Sequence, residues 1–487
     1  MTARPSGRVA RDRPVSWIDL IDLGLDPDDG RPLFQQLHLS LRDLIARRVV
    51  PAGTRLPATR ILADRLGVSR TTVVAAYDQL QAEGVVAGRV GAGTYVAAGI
   101  EAEDQPAAPA ESPGQAPAAP AWRGETVPFA AGFCGMHPAT ERAWGRLVQR
   151  HLRGIGVRQR GYGDPMGHRP LREALAEYLR VSRSVACDAD RIAIVSGSQQ
   201  GLDLVLRAVV QAGDPAWIED PCYPAALACL RQHQLRIVPV PVDGQGLDVA
   251  AGLALQPEAR LLYCTPTHHY PLGVAMSLPR RLALLDWARD GRWVIEDDYD
   301  SEFRFSGRPL SALQGLDRHG RVIYIGTLSK VLFPGLRVGY VVLPPDLVDR
   351  FAVIRNAADR FPSTILDDVL VDFINEGHFT RHIRRMRQEY AERRDRLTAA
   401  LTVEAGDDLT IIPVDRGMYL VADLRPGLDD VAVAEAARRR GVVVRPLSPM
   451  HIAAPPRRAL ILGFTGYPPQ ALDAAARTLG VVLRGFR

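Results

Sequence analysis

The sequence predicts two folded units of different class: a small, mostly helical unit ending in a β-hairpin, and a large α/β unit. Three observations carry this. Residues 31–97 show helical apolar spacing in three successive stretches, followed by a glycine-rich pair of short strands. Residues 98–126 include AEDQPAAPAESPGQAPAAPA, an Ala/Pro/Glu/Gln tract with almost none of the bulky apolar side chains a core needs, and so read as an interdomain linker. From Glu125 onward short apolar runs repeatedly precede polar loops, with helical stretches between them, which is the pattern of an α/β sheet and places the large unit at residues 127–487.

Length and charge agree with that division. A chain of 487 residues is too long for one ordinary domain. Residues 31–97 hold nine arginines against Asp43, Asp64, Asp78 and Glu83, so this segment carries the whole net charge of +5 and the remainder is neutral. A compact basic unit on a neutral body points to a polyanion-binding module joined to something else. The five cysteines are odd in number and lack metal-ligand spacing, which argues against a disulfide framework and for a reducing, cytoplasmic setting. No uninterrupted apolar run of about 18 residues is present to span a bilayer, and the first residues carry arginines without an apolar signal core.

Residues 1–30 are a polar lead-in with little periodicity. Leu33, Leu37, Leu41, Leu44 and Ile45 then form a helical stripe that ends before Pro51 and Gly53. A second helix is predicted from Thr59 to Leu66, then the turn Gly67-Val68-Ser69, then a third helix from Arg70 to about Gln81 with Ser69 as its N-cap. Arg70, Thr71 and Thr72 lead that helix with polar side chains, while Val73, Val74, Tyr77 and Leu80 are expected to pack inward. Two helices joined by a tight glycine turn are the arrangement that places the second helix in a DNA major groove. The following GVVAGRVGAGTYVA alternates strand, glycine-rich tip and strand, a β-wing with Arg89 near its tip. In order and spacing, GTRLPATRILADRLGVSRTTVVAAYDQLQAEGVV resembles the winged helix-turn-helix of the GntR family of bacterial regulators. That resemblance spans residues 32–97. It implies contacts to double-stranded operator DNA from Arg60, Ser69, Arg70, Thr71 and Thr72, and a wing contact at Gly91.

Within the large unit, Lys330 is the chain's only lysine; the other 59 basic residues are arginine. Arginine stays protonated, whereas a lysine amine can lose its proton and condense with an aldehyde. Lys330 is therefore a candidate for covalent chemistry, and a surface survivor of arginine drift is the plain alternative. Its neighbourhood, YIGTLSKVLFPGLRVGY, runs from a β-branched strand into a small-hydroxyl loop, with Thr327, Ser329 and Arg337 suited to a phosphate. This segment resembles the lysine segment of the aspartate aminotransferase superfamily, pyridoxal-phosphate-dependent transferases of fold type I. The resemblance implies pyridoxal 5'-phosphate held on Lys330 as an internal aldimine, in an α/β domain with a small C-terminal α+β subdomain.

Other segments follow the same order. Ile192–Val195 leads into Ser196-Gly197-Ser198-Gln199-Gln200-Gly201 and a helix, so Gly197, Ser198 and Gln199 can offer backbone N–H groups to an anion. Trp217-Ile218-Glu219 leads to Tyr223, which by resemblance lies against the cofactor ring and otherwise reads as a core tyrosine. Leu261–Cys264 leads to a loop with His268 and His269, adjacent histidines without a third ligand; a pocket loop is expected there and no metal. Trp293-Val294-Ile295 leads to Glu296-Asp297-Asp298-Tyr299-Asp300, which reads as a metal site, as a solvated loop, or as a carboxylate facing a pyridine nitrogen beside a tyrosine on the ring's phenolic oxygen. For the last role Asp297 and Tyr299 are chosen. Tyr162-Gly163-Asp164-Pro165-Met166-Gly167 resembles the superfamily segment that lends a tyrosine to the partner subunit's phosphate.

Taken whole, a GntR winged helix, a Pro/Ala linker and a fold type I domain resemble the MocR subgroup of GntR transcription regulators. Such proteins are implied to be head-to-tail, domain-swapped homodimers that bind pyridoxal phosphate and respond to it or to an amine. Two departures from a working aminotransferase stand out. The arginine that holds a substrate carboxylate is replaced by Ile461, with Arg457 and Arg458 nearby but out of register, and Tyr270 stands where an asparagine precedes the proline. Both weaken transamination, so at most residual turnover is expected; the rival reading is an active aminotransferase with an accessory DNA module. Arg416 and Arg445 are possible effector contacts.

Overall fold

In the computed structural model, the described residues are 23, 25–26, 29–89, 93–97, 127–154, 156, 160–307 and 310–487. The linker predicted at 98–126, most of the lead-in and the wing tip with Gly91 lie outside them. The chain divides into two compact units, 1–121 and 122–487.

In the first unit, α1 (Leu33–Ala46), α2 (Thr59–Leu66) and α3 (Arg70–Ala82) precede the strands β1 (Val86–Arg89) and β2 (Gly93–Val96). The helices bury Leu37, Leu41, Ile45, Leu62, Val73, Tyr77 and Leu80 in one core. Gly67 ends α2 in the left-handed region at φ 65°, where a glycine is favoured and the chain can turn at once into α3. Ser69 caps α3 by accepting a 3.1 Å hydrogen bond from the Thr72 amide. Val74 corrects the expected inward set: it is only half-buried and Ala76 is in the core instead. Successive helical residues point about 100° apart, and the stripe set by Val73, Ala76, Tyr77 and Leu80 leaves Val74 at its margin. Val86 pairs with Val96 and Arg89 with Gly93 in an antiparallel hairpin.

The second unit opens with α4 (Pro138–His151) and α5 (Arg169–Arg183), then alternates strands with helices, of which α6 (Ser198–Val209) matters most below. Its eight-stranded sheet comprises β3 (Ile192–Val195), β4 (Pro215–Asp220), β5 (Arg236–Asp243), β6 (Gly246–Leu247), β7 (Leu261–Cys264), β8 (Trp293–Asp298), β9 (Val322–Thr327) and β10 (Gly339–Val342). The spatial order is β3-β10-β9-β8-β7-β4-β5-β6. The strands β5, β4, β7, β8 and β9 are mutually parallel, while β10 runs antiparallel between β3 and β9. Lys330 therefore sits in a connection that folds straight back on itself. A 3₁₀ turn at Pro334–Leu336 and the left-handed Arg337 (φ 53°) reverse the chain, so that Gly339 pairs with Thr327. Fully buried strands such as Ile192–Val195 and Val322–Thr327 explain the continuous apolar runs.

A smaller four-stranded antiparallel sheet follows, β11 (Leu409–Ile411), β12 (Tyr419–Leu424), β13 (Arg445–Pro446) and β14 (Ala459–Gly463), in the order β11-β12-β14-β13. The 28-residue helix His378–Ala405 and the C-terminal helix Pro469–Arg484 pack together beside it, forming the C-terminal α+β part. Among the described residues no helix is long and apolar enough to cross a membrane.

Candidate functional site

The strands β3, β4, β7, β8 and β9 point the same way, so their carboxyl ends bring Ser196–Gln199, Asp220–Tyr223, Thr265–Gly273, Asp297–Asp300 and Thr327–Lys330 to one edge of the sheet. Ligands of open α/β sheets bind at such an edge. Lys330 is held there from two sides. Its carbonyl accepts a 3.0 Å bond from Cys134 Sγ, and Gly132, at φ 97°, passes so close that a Cβ would lie 2.7 Å from Lys330 Nζ. Burial pushes the lysine amine below its ordinary pKa; the nearby Arg445 charge adds to this, while Cys134, Asp300 and Asp297 oppose it.

The four carboxylates at the end of β8 separate by role. Glu296 accepts the Leu313 and Gln314 amides at 2.9 and 2.8 Å. Asp298 pairs with the buried Arg183 guanidinium at 2.6 Å and accepts the Tyr324 hydroxyl at 2.7 Å. Asp300 holds His268 Nδ1 at 2.9 Å. Asp297 accepts the Tyr263 hydroxyl at 2.6 Å through Oδ2, but its Oδ1 is buried without a partner. Burial raises Asp297 to about 6. Of the four, it alone keeps a buried oxygen free for another group.

Tyr299 places its hydroxyl 3.1 Å from both His268 Nδ1 and Tyr419 Oη. Tyr223 meets the edge of Tyr270, which in turn meets Tyr299, with centroids 5.5 and 6.0 Å apart. Gly197 (φ 109°) caps α6, and a Cβ there would come within 3.2 Å of Arg337 Nη2. Arg337 donates at 2.8 Å to the Ser196 carbonyl. The first amides of α6, carried by Ser198 and Gln199, and the Arg337 cation thus adjoin one turn. Thr327 Oγ1 accepts the Ser329 amide at 3.1 Å, and Ser329 Oγ is buried without a partner. Tyr162 stands apart: it is 83% exposed and packs against Phe361 and the Arg360 guanidinium.

Sequence reasoning passed over Gly132, Cys134, Tyr263, Tyr419 and the His268–Asp300 pair. Only the acidic run near Asp300 and the pocket loop expected around His268 carried a signal; the rest come together solely through the fold. Of the arginines considered, Arg457 forms a two-pronged pair with Asp423 at 2.6 and 2.7 Å, Arg458 pairs with Asp429 and Arg416 with Asp415. Arg445 instead donates at 2.7 Å to the Tyr270 hydroxyl. Away from this edge, Asp203, Cys229 and His233 bring potential metal-ligating atoms within 4.8 Å of one another, but Asp203 is already shared by His233 and Arg207, each at 2.9 Å.

On the first unit, Arg60, Ser69, Arg70 and Thr71 are exposed and Thr72 half-buried around the start of α3. Ser69 Oγ lies 2.7 Å from the hydroxyls of both Thr71 and Thr72, and Arg70 Nε donates to Thr59 at 3.4 Å. Arg89 ends β1; its side chain lies outside the described residues.

Residues 136–479 match the family described as aminotransferase class I and II, and residues 33–96 match bacterial regulatory proteins of the gntR family. The chain is 40% identical to the probable rhizopine catabolism regulatory protein MocR of Rhizobium meliloti, over 94% of this chain and 95% of that protein. Among solved structures, kynurenine aminotransferase of Pyrococcus horikoshii superposes with a TM-score of 0.66 at 28% identity, covering 74% of this chain and 90% of the other. The α-aminoadipate aminotransferase of Thermus thermophilus, complexed with N-(5'-phosphopyridoxyl)-L-leucine, gives 0.67 at 28% identity, covering 73% and 92%. With a gntR-type winged helix ahead of an aminotransferase-fold domain, and likeness to a MocR protein along nearly its full length, the chain belongs to the MocR subgroup of the GntR family of bacterial transcription regulators.

Proposed function

We propose that this chain is a cytoplasmic, DNA-binding transcription regulator whose large domain holds pyridoxal 5'-phosphate on Lys330 and senses either the cofactor or an amine that reacts with it. The observation that carries the reading is the pairing of Lys330, with its depressed proton affinity, and Asp297, with its unpartnered buried oxygen, at one sheet edge. The donor set fits the group. Gly197, Ser198, Gln199, Thr327, Ser329 and Arg337 would hold its phosphate, Asp297 its ring nitrogen, Tyr299 its ring oxygen and Tyr223 its ring face. When bound, pyridoxal phosphate supplies an aldehyde for amines and a ring that draws electrons from them. Burial biases the Lys330 amine toward its neutral form. Asp297 offers its free oxygen to a ring N–H, and Tyr263 orients the carboxylate.

The exposed Arg60, Ser69, Arg70 and Thr71, with the half-buried Thr72, support a DNA-reading helix, with Arg89 and Gly91 on the wing completing the surface. Homodimerisation, head to tail with exchanged DNA-binding units, would let the exposed Tyr162 serve the partner's phosphate. A second reading, an active aminotransferase carrying an accessory DNA module, is favoured by the complete Lys330, Asp297 and Tyr299 set. The test is to purify the chain with pyridoxal phosphate, record its visible spectrum against Lys330→Ala, and measure operator affinity with and without amines. Lysine-dependent absorbance together with amine-dependent DNA binding supports the regulator. Steady amine-to-keto-acid turnover without DNA would make it an enzyme first.

A further inference from the structure

We infer that α6 and the next helix, α7 (Pro224–Gln232), together form a binding site for one divalent ion of the zinc class, with Asp203, Cys229 and His233 as its protein ligands. The inference stands apart from the cofactor reading, because none of the three residues is among those gathered at the Lys330 edge of the sheet.

Spacing within α7 supplies two of the ligands. Cys229 lies in its last turn, and His233 follows the helix end with its amide still donating to the Cys229 carbonyl at 3.2 Å. An i, i+4 pair projects from one face of a helix, the spacing by which two histidines hold zinc in metalloproteases. The neighbouring α6 packs against α7 and brings Asp203. Thiol, imidazole and carboxylate then place one ligating atom each within 4.8 Å of one another. On a tetrahedral zinc ion such atoms stand about 3.3–3.6 Å apart, and His233 Nε2 is already 2.9 Å from Asp203 Oδ1. Closing onto an ion thus asks for shifts of about 1 Å.

The chemistry of the donors selects the ion. Calcium and magnesium take oxygen ligands, whereas a thiolate, an imidazole and one carboxylate suit zinc and its transition-metal neighbours. Arg207 holds Asp203 Oδ2 at 2.9 Å, which turns Oδ1 towards His233 and fixes the carboxylate as outer-shell partners fix zinc ligands. Cys229 is buried while Asp203 and His233 are half-buried, so sulfur lies at the back and solvent reaches the other two. A fourth position is left to water. Burial pushes the Cys229 thiol up to about 11, so binding must release its proton. A doubly charged ion facing one thiolate and one carboxylate leaves the cluster neutral.

The experiment adds cobalt, then zinc, to the full chain freed of metal and of pyridoxal phosphate. The wild type should take up one cobalt per chain with a thiolate-to-cobalt charge-transfer band in the near ultraviolet, and one equivalent of zinc should bleach that band. Cys229→Ser should abolish it. His233→Gln should weaken zinc binding, measured by competition with a chromophoric chelator, by at least about 100-fold, the upper range for loss of an outer-shell partner alone. His233→Cys supplies another ligand at the same place and should keep a strong band, which separates a lost ligand from a folding defect. Lys330→Ala should bind cobalt as the wild type does, whatever becomes of the cofactor reading. No charge-transfer band in the wild type, a band that survives in Cys229→Ser, or unchanged zinc affinity in His233→Gln overturns the site. Asp203 and His233 would then be an ion pair beside a bystander thiol.

Discussion

Replacing Asp297 by asparagine should change two properties in opposite directions. The carboxylate is buried, and its pKa is raised from 3.8 to about 6 with burial as the largest cause. The unfolded chain ionises it near 3.8, so between that value and about 6 the folded chain binds more protons, and stability falls as pH rises. Above about 6 the full penalty stands. A shift of about two units corresponds to roughly 3 kcal/mol. Asparagine removes this penalty but places an N–H where Oδ1 has no partner, which costs about 1–2 kcal/mol, leaving the cofactor-free variant roughly 1–2 kcal/mol more stable at pH 8. Cofactor affinity should move the other way, because a charge-assisted bond to a ring N–H becomes a neutral one. The loss is about 10- to 100-fold, from the roughly 1.5–3 kcal/mol such bonds contribute. Urea unfolding of the cofactor-free proteins at pH 4 and pH 8, with equilibrium dialysis of pyridoxal phosphate, measures both. A variant that is less stable at pH 8 yet retains the cofactor normally would show that Asp297 is a structural acid and that its free oxygen serves no ligand.

Four further outcomes are expected. Arg70→Ala should weaken operator binding and, if Arg70 meets a phosphate, lower the slope of log affinity against log salt by about 1; Ser69→Ala should destabilise the N-terminal unit by about 1 kcal/mol through loss of the cap seen in thermal unfolding. Because burial raises Glu219 from 4.5 to about 8, the wild type should lose stability as pH rises from about 4.5 to about 8, and Glu219→Gln should flatten that part of the urea-midpoint profile. Capture of pyridoxal phosphate by the cofactor-free chain should titrate below the ordinary lysine pKa, and Arg445→Gln should move the midpoint upward in stopped-flow absorbance, since one of the two influences favouring the neutral amine is removed.

Much of the architecture is legible because local chemistry and tertiary packing agree. The bounds of α2 follow from the left-handed Gly67, and those of α3 from the Ser69 cap, so Thr59–Leu66 and the start at Arg70 coincide with expectation. The reversed direction of β10 is not legible: an apolar run states burial, and only the Pro334–Arg337 turn fixes which way it runs. The site divides in the same way. Lys330 is conspicuous by composition, and the acidic run is conspicuous by density. What distinguishes Asp297 from its three acidic neighbours is the distant partners that occupy the others, Arg183, His268 and the Leu313–Gln314 amides. That Arg445 stands opposite Ile461 depends on strand register, which no spacing within one segment encodes.

The solitary lysine has a practical consequence. Aldehydes such as pyridoxal phosphate decorate surface lysines of most proteins, and the resulting background obscures weak or substoichiometric sites. Here every other basic side chain is an arginine, which is inert to such condensation. Apart from a chain terminus, the half-buried Lys330 is the sole primary amine that an aldehyde can find. Borohydride trapping should therefore label one peptide, and occupancy can be read from intact mass without mapping.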